Sequence, residues 1–426
     1  MHGELAGGPF RPILMPFQRL RRVLETTYRV NVCSSPAIVA RVQKKIESRQ
    51  ARLQERGRPV PETKPPSIVP SLQSTDFFSI RAIDLLRKIG DLTTPAWVNM
   101  ATLSASWATR RYFWAIDDSP TTGRRFRLSP DVTDLDFHQK TLLSDEFGIG
   151  MAGLVLEQLF DAGSSVDVSA ALKDANLYQD IRQNGTAQPD FLMWNPAPTM
   201  PYYVVECKGC QTSLAATTDQ IRRGLEQVPS LVFGAGDRPV STLVVATLMQ
   251  KSGTTTYVID PPNDDERDDG KKDREPPSER IGKRTWRINN PDEFARRAWD
   301  VRRAQILNWA GQFRSAVEIL GEETPQNVRQ MTSIDDQPLT THVIGDLTFR
   351  GRSLALFPEL GGAGLRLFSG VQEDLLGAAR EDRVSSETIA TELGRRRRNL
   401  AADESHVPPN TSISTNGTCF VVQGVE

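Results

Sequence analysis

Between Asp134 and Ile259 the chain alternates short apolar runs with amphipathic stretches of helical length. This alternation limits the fold more than any other feature. Tyr202–Cys207 reads as a strong strand, Ser241–Met249 as a buried one, and Thr254–Ile259 and Gln188–Phe191 as two more. A helix is expected over Thr217–Val228. An earlier one, opened by Ser144-Asp145-Glu146, runs through Phe147, Met151, Leu154, Val155, Leu156 and Leu159. Strands separated by helices imply an α/β fold with some parallel pairing. Gly148, Gly150 and Gly153 each cost that helix about 1 kcal/mol against Ala, so they are expected where another element approaches closely.

Around this segment the chain divides into regions. Residues 1–130 are expected to be a mainly helical region. Ser35-Pro36 is a helix start, with Ser as cap and Pro at the first helical position. Ile38, Val42 and Ile46 then share one face, with Arg41, Lys44, Lys45, Arg49 and Arg52 mostly elsewhere. Such a helix either lies on DNA or presents a solvated face. Arg56–Ser71 reads as a linker, and Ser74–Ile89 and Pro95–Phe113 as helices. The aromatic cluster of Trp97, Trp107, Tyr112, Phe113 and Trp114 suits a core better than a base-stacking platform. Residues 131–320 form the main domain. It includes a densely charged, Pro-rich segment, 260–283, that lacks the apolar residues to order itself. Helix returns over Pro291–Leu320. Residues 321–394 are expected to be a small α+β unit, with a hairpin turning at Arg350-Gly351-Arg352 and a helix over Gly370–Ala379. Residues 395–426 read as a basic and polar tail, opened by the arginine run Arg395–Arg398, which either binds nucleic acid or ends a helix.

Several functional classes are excluded. The longest apolar runs fall far short of the roughly 20 residues that span a membrane, so no membrane partner is expected. The first residues carry Arg11 and no apolar stretch of secretory-signal type. Four cysteines are too few for a disulfide scaffold, and a reducing, cytoplasmic setting is expected. The net charge of -1 rules out a globally basic nucleic-acid binder but not a local basic groove. The basic residues are 41 Arg against 11 Lys, which suits phosphate contacts or reflects genomic base composition. The four histidines show no pair at ligand spacing, which argues against a His-built zinc hydrolase. His138 reads as a surface or capping residue.

The chemistry is concentrated in Pro189-Asp190 and, after fifteen residues, Glu206-Cys207-Lys208. On a strand, Glu206 and Lys208 point to one face. They end the apolar run Tyr203-Val204-Val205, where burying charge is costly without a partner. A divalent cation would supply one, with Asp190 as second ligand and the Cys207 carbonyl facing the same ion. Mg²⁺ takes one or two carboxylates and fills its other positions with water and phosphate oxygens. Lys208 would then orient and help deprotonate the attacking water, or hold charge developing on the phosphate.

These residues resemble the signature of the PD-(D/E)XK nuclease superfamily, the restriction-endonuclease-like fold. Glu157 on an upstream helix, Gly209 after the lysine and Gln220 on the following helix agree with that resemblance. So does the order helix, strand, strand, helix, strand. The resemblance covers about Asp134–Ile259. It implies a mixed central sheet flanked by helices and a metal-dependent DNA endonuclease using Mg²⁺ or Mn²⁺, in restriction, phage defence or repair. Asp190, Glu206, Lys208 and Gln220 would be the catalytic set, and Glu157, Asp190, Glu206 and Cys207 the metal ligands. The partners expected are nucleic acid, DNA foremost, with a protein partner or a second copy of the chain.

Three alternatives stay open. Lys208 pairs structurally with Glu206 or Asp190, leaving a catalytically inactive nuclease-fold binding or scaffold protein. The substrate is RNA, since no motif separates RNA from DNA. Or Cys207 and Cys210, a C-x-x-C pair, serve redox or metal chemistry with Cys33 and Cys419, although their spacing departs from that of the cluster-bearing nucleases. No GxxxxGK(S/T) loop occurs, so any ATP-driven step needs a partner.

Overall fold

The structure, a computed structural model, describes residues 16–61, 63–73, 76–94, 101–119, 124–172, 178–180, 188–194, 202–233, 241–260, 286–288, 291–321, 338–355, 365–381 and 407–424. The first part of the chain forms α1 (Pro16–Glu25), β1 (Thr27–Cys33), α2 (Pro36–Glu55), β2 (Asp76–Arg81), α3 (Ala82–Leu92) and α4 (Ala101–Tyr112). The middle forms α5 (Phe137–Leu159), β3 (Ser164–Asp167), α6 (Val168–Ala171), β4 (Tyr178–Asp180), β5 (Phe191–Trp194), β6 (Tyr202–Cys210), α7 (Leu214–Gln227), β7 (Leu231–Phe233), β8 (Ser241–Gln250) and β9 (Gly253–Ile259). The last part forms β10 (Trp286–Ile288), α8 (Pro291–Ala310), α9 (Phe313–Leu320), β11 (Thr340–Ile344), β12 (Leu347–Ala355), β13 (Leu365–Gln372), α10 (Glu373–Arg380), β14 (Thr411–Ile413) and β15 (Thr418–Gly424).

The protein is mixed α/β. Its central sheet has seven strands in the order β2-β1-β9-β8-β6-β5-β3. β3, β5 and β6 are antiparallel neighbours, and β6 then pairs parallel with β8 after the α7 crossover. Both faces are covered. On one, Val244 and Ala246 of β8 pack with Ile221 and Leu225 of α7 and with Ile38, Val42 and Ile46 of α2. On the other, Val205, Cys207 and Val245 join the large core with Phe147, Met151 and Val155 of α5. Burial on both faces explains why β8 reads as a nearly continuous apolar run.

The described residues 16–130 do not form a separate helical region. β1 pairs parallel with β9, and β2 antiparallel with β1, so this part of the chain completes the same sheet. The buried residues Tyr28, Val30 and Val32 alternate in β1, as do Phe78 and Ile80 in β2. Period-two burial makes both segments strands, and Asp76–Arg81 occupies the first part of the helix that the sequence predicts over Ser74–Ile89. α2 begins as expected, with the Ser35 hydroxyl accepting from the Ile38 N–H at 3.4 Å.

The carboxy-terminal residues also differ from expectation. β15 lies between β13 and β14 in a second, antiparallel sheet of order β11-β12-β13-β15-β14. Its residues Cys419–Val422 are buried, and the Trp309 indole donates to the Cys419 carbonyl at 3.2 Å. The tail therefore completes the α+β unit. The β11–β12 hairpin turns at Gly345-Asp346, with Gly345 at φ +60°, and Arg350-Gly351-Arg352 lies inside β12. Gly370 lies in β13, and the helix after it starts at Glu373. The segment 261–283 and the run Arg395–Arg398 lie outside the described residues.

α5 starts seven residues earlier than Ser144, capped by Asp136, whose carboxylate accepts from the Gln139 N–H at 2.9 Å. Its glycines set how it packs. A Cβ on Gly148 would sit 2.7–2.8 Å from the backbone of Lys208 and Gly209. A Cβ on Gly209 would sit 1.6 Å from the Ser144 carbonyl oxygen. Gly150 and Gly153 give the same closeness toward Ile89, Lys88 and Leu92 of α3. Gly209→Ala should therefore destabilise the protein by about 1–3 kcal/mol or more, because two backbones must separate. Gly377→Ala, on a helix with open space at that position, should be neutral or stabilising by up to about 1 kcal/mol. Urea unfolding of the two variants checks the contrast.

Candidate active site

The sheet opens where β5 leaves β6. Their register ends at Phe191 opposite Val205, and one further step sets Asp190 opposite Glu206. The Asp190 N–H still donates to the Val205 carbonyl at 3.1 Å. Its own carbonyl turns away and accepts from the Val168 N–H at 3.1 Å. The Asp190 carboxylate takes over the ladder, with Oδ2 accepting from the Cys207 N–H at 2.7 Å. A carboxylate is thus fixed at the mouth of the gap by β6 itself.

β6 places the other groups by its alternation. Glu206 points toward α7, where a Cβ on Gly224 would come within 3.1 Å of the Glu206 Cγ. Lys208, two residues on, contacts Glu206 Oε1 through its Nζ. Cys207 points the opposite way, into the core shared with α5. Glu206 is fully buried and Lys208 is 16% exposed. Glu206 Oε2 is buried with no hydrogen-bond partner among the described residues.

The electrostatics follow from this crowding. Burial, with Asp190 adding to it, pushes Glu206 up to about 8 even though Lys208 opposes the shift. Burial likewise raises Asp190 to about 6, against the pull of Lys208 and the Cys207 N–H. Burial works against the Lys208 charge, but Glu206 and Asp190 outweigh it and hold the ammonium above its ordinary value. Asp145 of α5 belongs to the same field. Burial raises its carboxyl, Lys208 lowers it, and it in turn raises Asp190. One lysine faces three acids.

The donor set fits a hard cation. Among the described residues no three His, Cys, Asp or Glu side chains form a ligand cage of their own. Mg²⁺ and Mn²⁺ do not need one: one or two carboxylates suffice, with water and phosphate oxygens completing the shell. The unpartnered Glu206 Oε2 beside Asp190 is an oxygen in want of such a charge.

Other expected residues lie elsewhere. Glu157 is twelve residues beyond Asp145 on α5, about 18 Å along the helix axis. It lies in a buried junction, 2.6 Å from Lys88 Nζ and 3.4 Å from Arg87 Nη2. Its Oε1 accepts from the Ser414 hydroxyl at 2.8 Å and the Thr415 N–H at 2.6 Å. Glu157, expected as a metal ligand, is therefore spent on this junction: a carboxylate so enclosed has its charge balanced already. Asp145 is the α5 acid at the site. It lies one turn before Gly148, which touches Lys208 and Gly209, whereas its position in Ser144-Asp145-Glu146 had suggested only a helix start. Gln220 is half-buried on α7, one turn before Gly224 and on the same side of the helix. The thiols of Cys207 and Cys210 sit on opposite faces of β6, and all four cysteines are free. Arg222 is buried between Asp219 and Glu226, Arg223 pairs with Asp219, and His138 is exposed near the start of α5.

No protein-family model matches the chain, and comparison with curated proteins and with solved structures gives no match.

Both carboxyls bind protons more tightly folded than unfolded, so folding takes up protons between pH 4.5 and about 8 for Glu206, and between 3.8 and about 6 for Asp190. Stability of the metal-free protein should fall as pH rises through that window. Glu206→Gln should flatten the fall, as read by urea unfolding across pH. A second outcome concerns the junction. Glu157→Ala should cost about 3–5 kcal/mol by stranding Arg87 and Lys88. At a temperature where that variant remains folded, its Mn²⁺ affinity by calorimetry should match wild type.

Proposed function

We propose that the protein is a metal-dependent nuclease that hydrolyses phosphodiester bonds, with duplex DNA as substrate and cleavage within the strand. The observation that carries this reading is the buried pair Asp190 and Glu206 on adjacent strands, served by one lysine and leaving Glu206 Oε2 unpartnered. The order α5, β3, β5, β6, α7, β8, with three antiparallel strands and then a parallel one, supports a restriction-endonuclease-like core. A role in restriction, phage defence or repair is consistent with that chemistry. No helix among the described residues is long and apolar enough to cross a membrane.

Asp190 and Glu206 would hold the cation, and Asp145 would add to the negative field around it. Bound there, the cation would polarise the phosphoryl oxygen and lower the pKa of water. The chain's own groups do the rest. Lys208, on the half-open side of the pair, would orient the attacking water and meet charge developing on the phosphate. The Cys207 N–H keeps Asp190 in place. Gln220 would position substrate from α7.

The close Lys208–Glu206 contact also suits a second reading, an inactive fold in which the lysine is a structural partner. Mutagenesis separates the two. With Mg²⁺ or Mn²⁺, wild type should nick plasmid DNA, and EDTA should abolish this. Asp190→Ala and Glu206→Ala should lose both cleavage and metal affinity. Lys208→Ala should cut the rate about a hundred- to a thousandfold yet keep metal, bound equally or more tightly. Lys208→Ala cleavage at the wild-type rate would remove the lysine from the mechanism, and absence of metal-dependent cleavage of plasmid, linear duplex, single-stranded DNA and RNA by wild type would favour the inactive fold.

A further inference from the structure

Helix α2 carries its charge on one flank. Ile38, Val42 and Ile46 face the core. At about 100° per residue, Arg41, Lys44, Lys45 and Arg52 fall within an arc of about 100° on one side of that stripe. Gln43, Glu47, Gln50 and Gln54 fall on the other side, and Glu55, in the last turn, is the acid on the basic side. Arg41, Lys44 and Arg52 are exposed and form no ion pair with the described residues. Cations gathered on one flank repel one another unless an outside anion neutralises them.

The basic flank turns toward α7. Arg49 Nε lies 3.0 Å from Glu226 Oε1. Burial raises Asp219, but Arg222, Arg223 and Lys45 outweigh it and hold that carboxyl below its ordinary value, so the charge of Lys45 is felt on α7. Arg223, 59% exposed and 3.2 Å from Asp219, continues the positive surface onto α7. The same helix packs Gly224 against Glu206. The basic flank and the Glu206–Lys208 pair therefore share one face of the central sheet. From Arg41 to Arg52 the flank spans about 17 Å, enough for about five phosphates at roughly 3.4 Å of axis per strand step.

We propose that this flank of α2, continued by Arg223, is the track along which the sugar–phosphate backbone of duplex DNA lies as it enters the site. The identity of the partner rests on the nuclease reading. Contacts of this kind set register and affinity without reading sequence. The chain carries a net charge of -1, so its affinity for DNA would depend on such a local surface.

The test measures binding of the full chain to a fluorescein-labelled DNA duplex by anisotropy, in EDTA, between about 50 and 200 mM salt. The triple variant Arg41→Gln/Lys44→Gln/Arg52→Gln should bind roughly tenfold more weakly or worse. Its slope of log affinity against log salt should shrink by about 2.7, at about 0.9 per lost phosphate contact. A control variant at exposed arginines outside α2, Arg21→Gln/Arg296→Gln/Arg314→Gln, should bind as wild type does. Wild-type affinity and slope in the α2 variant would overturn the track, and metal-dependent plasmid cleavage by that variant would leave the nuclease reading standing. An equal loss in the control would also overturn the track, as an effect of net charge. Binding of wild type to phosphatidylserine vesicles but not to the duplex, lost in the α2 variant, would make the partner a lipid surface. Failure of wild type both to bind and to cleave any nucleic acid would overturn the two proposals together.

Discussion

The contact between Gly148 of α5 and Gly209 of β6 is the constraint on which the candidate site depends. Neither position has room for a side chain: the Cβ of one would meet backbone at 2.7 Å and that of the other at 1.6 Å. With the two backbones this close, α5 cannot slide or rotate without a clash. The helix is then phased so that the Asp145 backbone lies against Gly209, next to Lys208. Its other end delivers Glu157 to Arg87 and Lys88. A single pair of glycines thus fixes one acid at the site and another away from it.

The two acids of α5 show how environment decides what a carboxylate does. Glu157 is as buried as Glu206, yet it has two cations, a hydroxyl and a backbone N–H around it. That enclosure ties α3 and α5 to the turn before β15, and so holds the second sheet to the first. Among the described residues Glu206 has one cation, shared with Asp190, and an oxygen left without a partner. An unbalanced buried carboxylate is costly for folding. Perturbed groups of this kind, gathered where a sheet opens, are characteristic of sites that handle charge supplied from outside.

The segments Thr27–Arg81 and Thr411–Gly424 complete the two large sheets. β1 and β2 extend the central sheet beyond β9, and β14 and β15 close the second sheet. Glu157 meets Ser414 and Thr415, Trp309 meets Cys419, and Ser369 donates to the Trp309 carbonyl at 3.2 Å. Regions that read as separate along the sequence are thus bound to the core by buried hydrogen bonds.

The strands β6, β8 and β9, the helices α5 and α7, the Ser35 cap and the placement of Glu206 and Lys208 on one face were legible in the sequence, because each rests on a local pattern; β3 was not, and β5 runs over Phe191–Trp194, sharing only Phe191 with the strand expected at Gln188–Phe191. Period two puts Glu206 and Lys208 together whatever surrounds them, and an apolar run such as Leu243–Met249 has to be buried. The short alternation in Thr27–Cys33 was also present, but seven residues flanked by helical patterns do not declare a strand without a partner. Only the tertiary structure decided that β9 supplies that partner, that Asp190 stands opposite Glu206, and that α5 brings Asp145 rather than Glu157 to the lysine. The physical reason is the same in each case. Which residues meet across a sheet or beneath a helix depends on register and close approach between segments far apart in the chain, and those are set by packing rather than by the residues on either side.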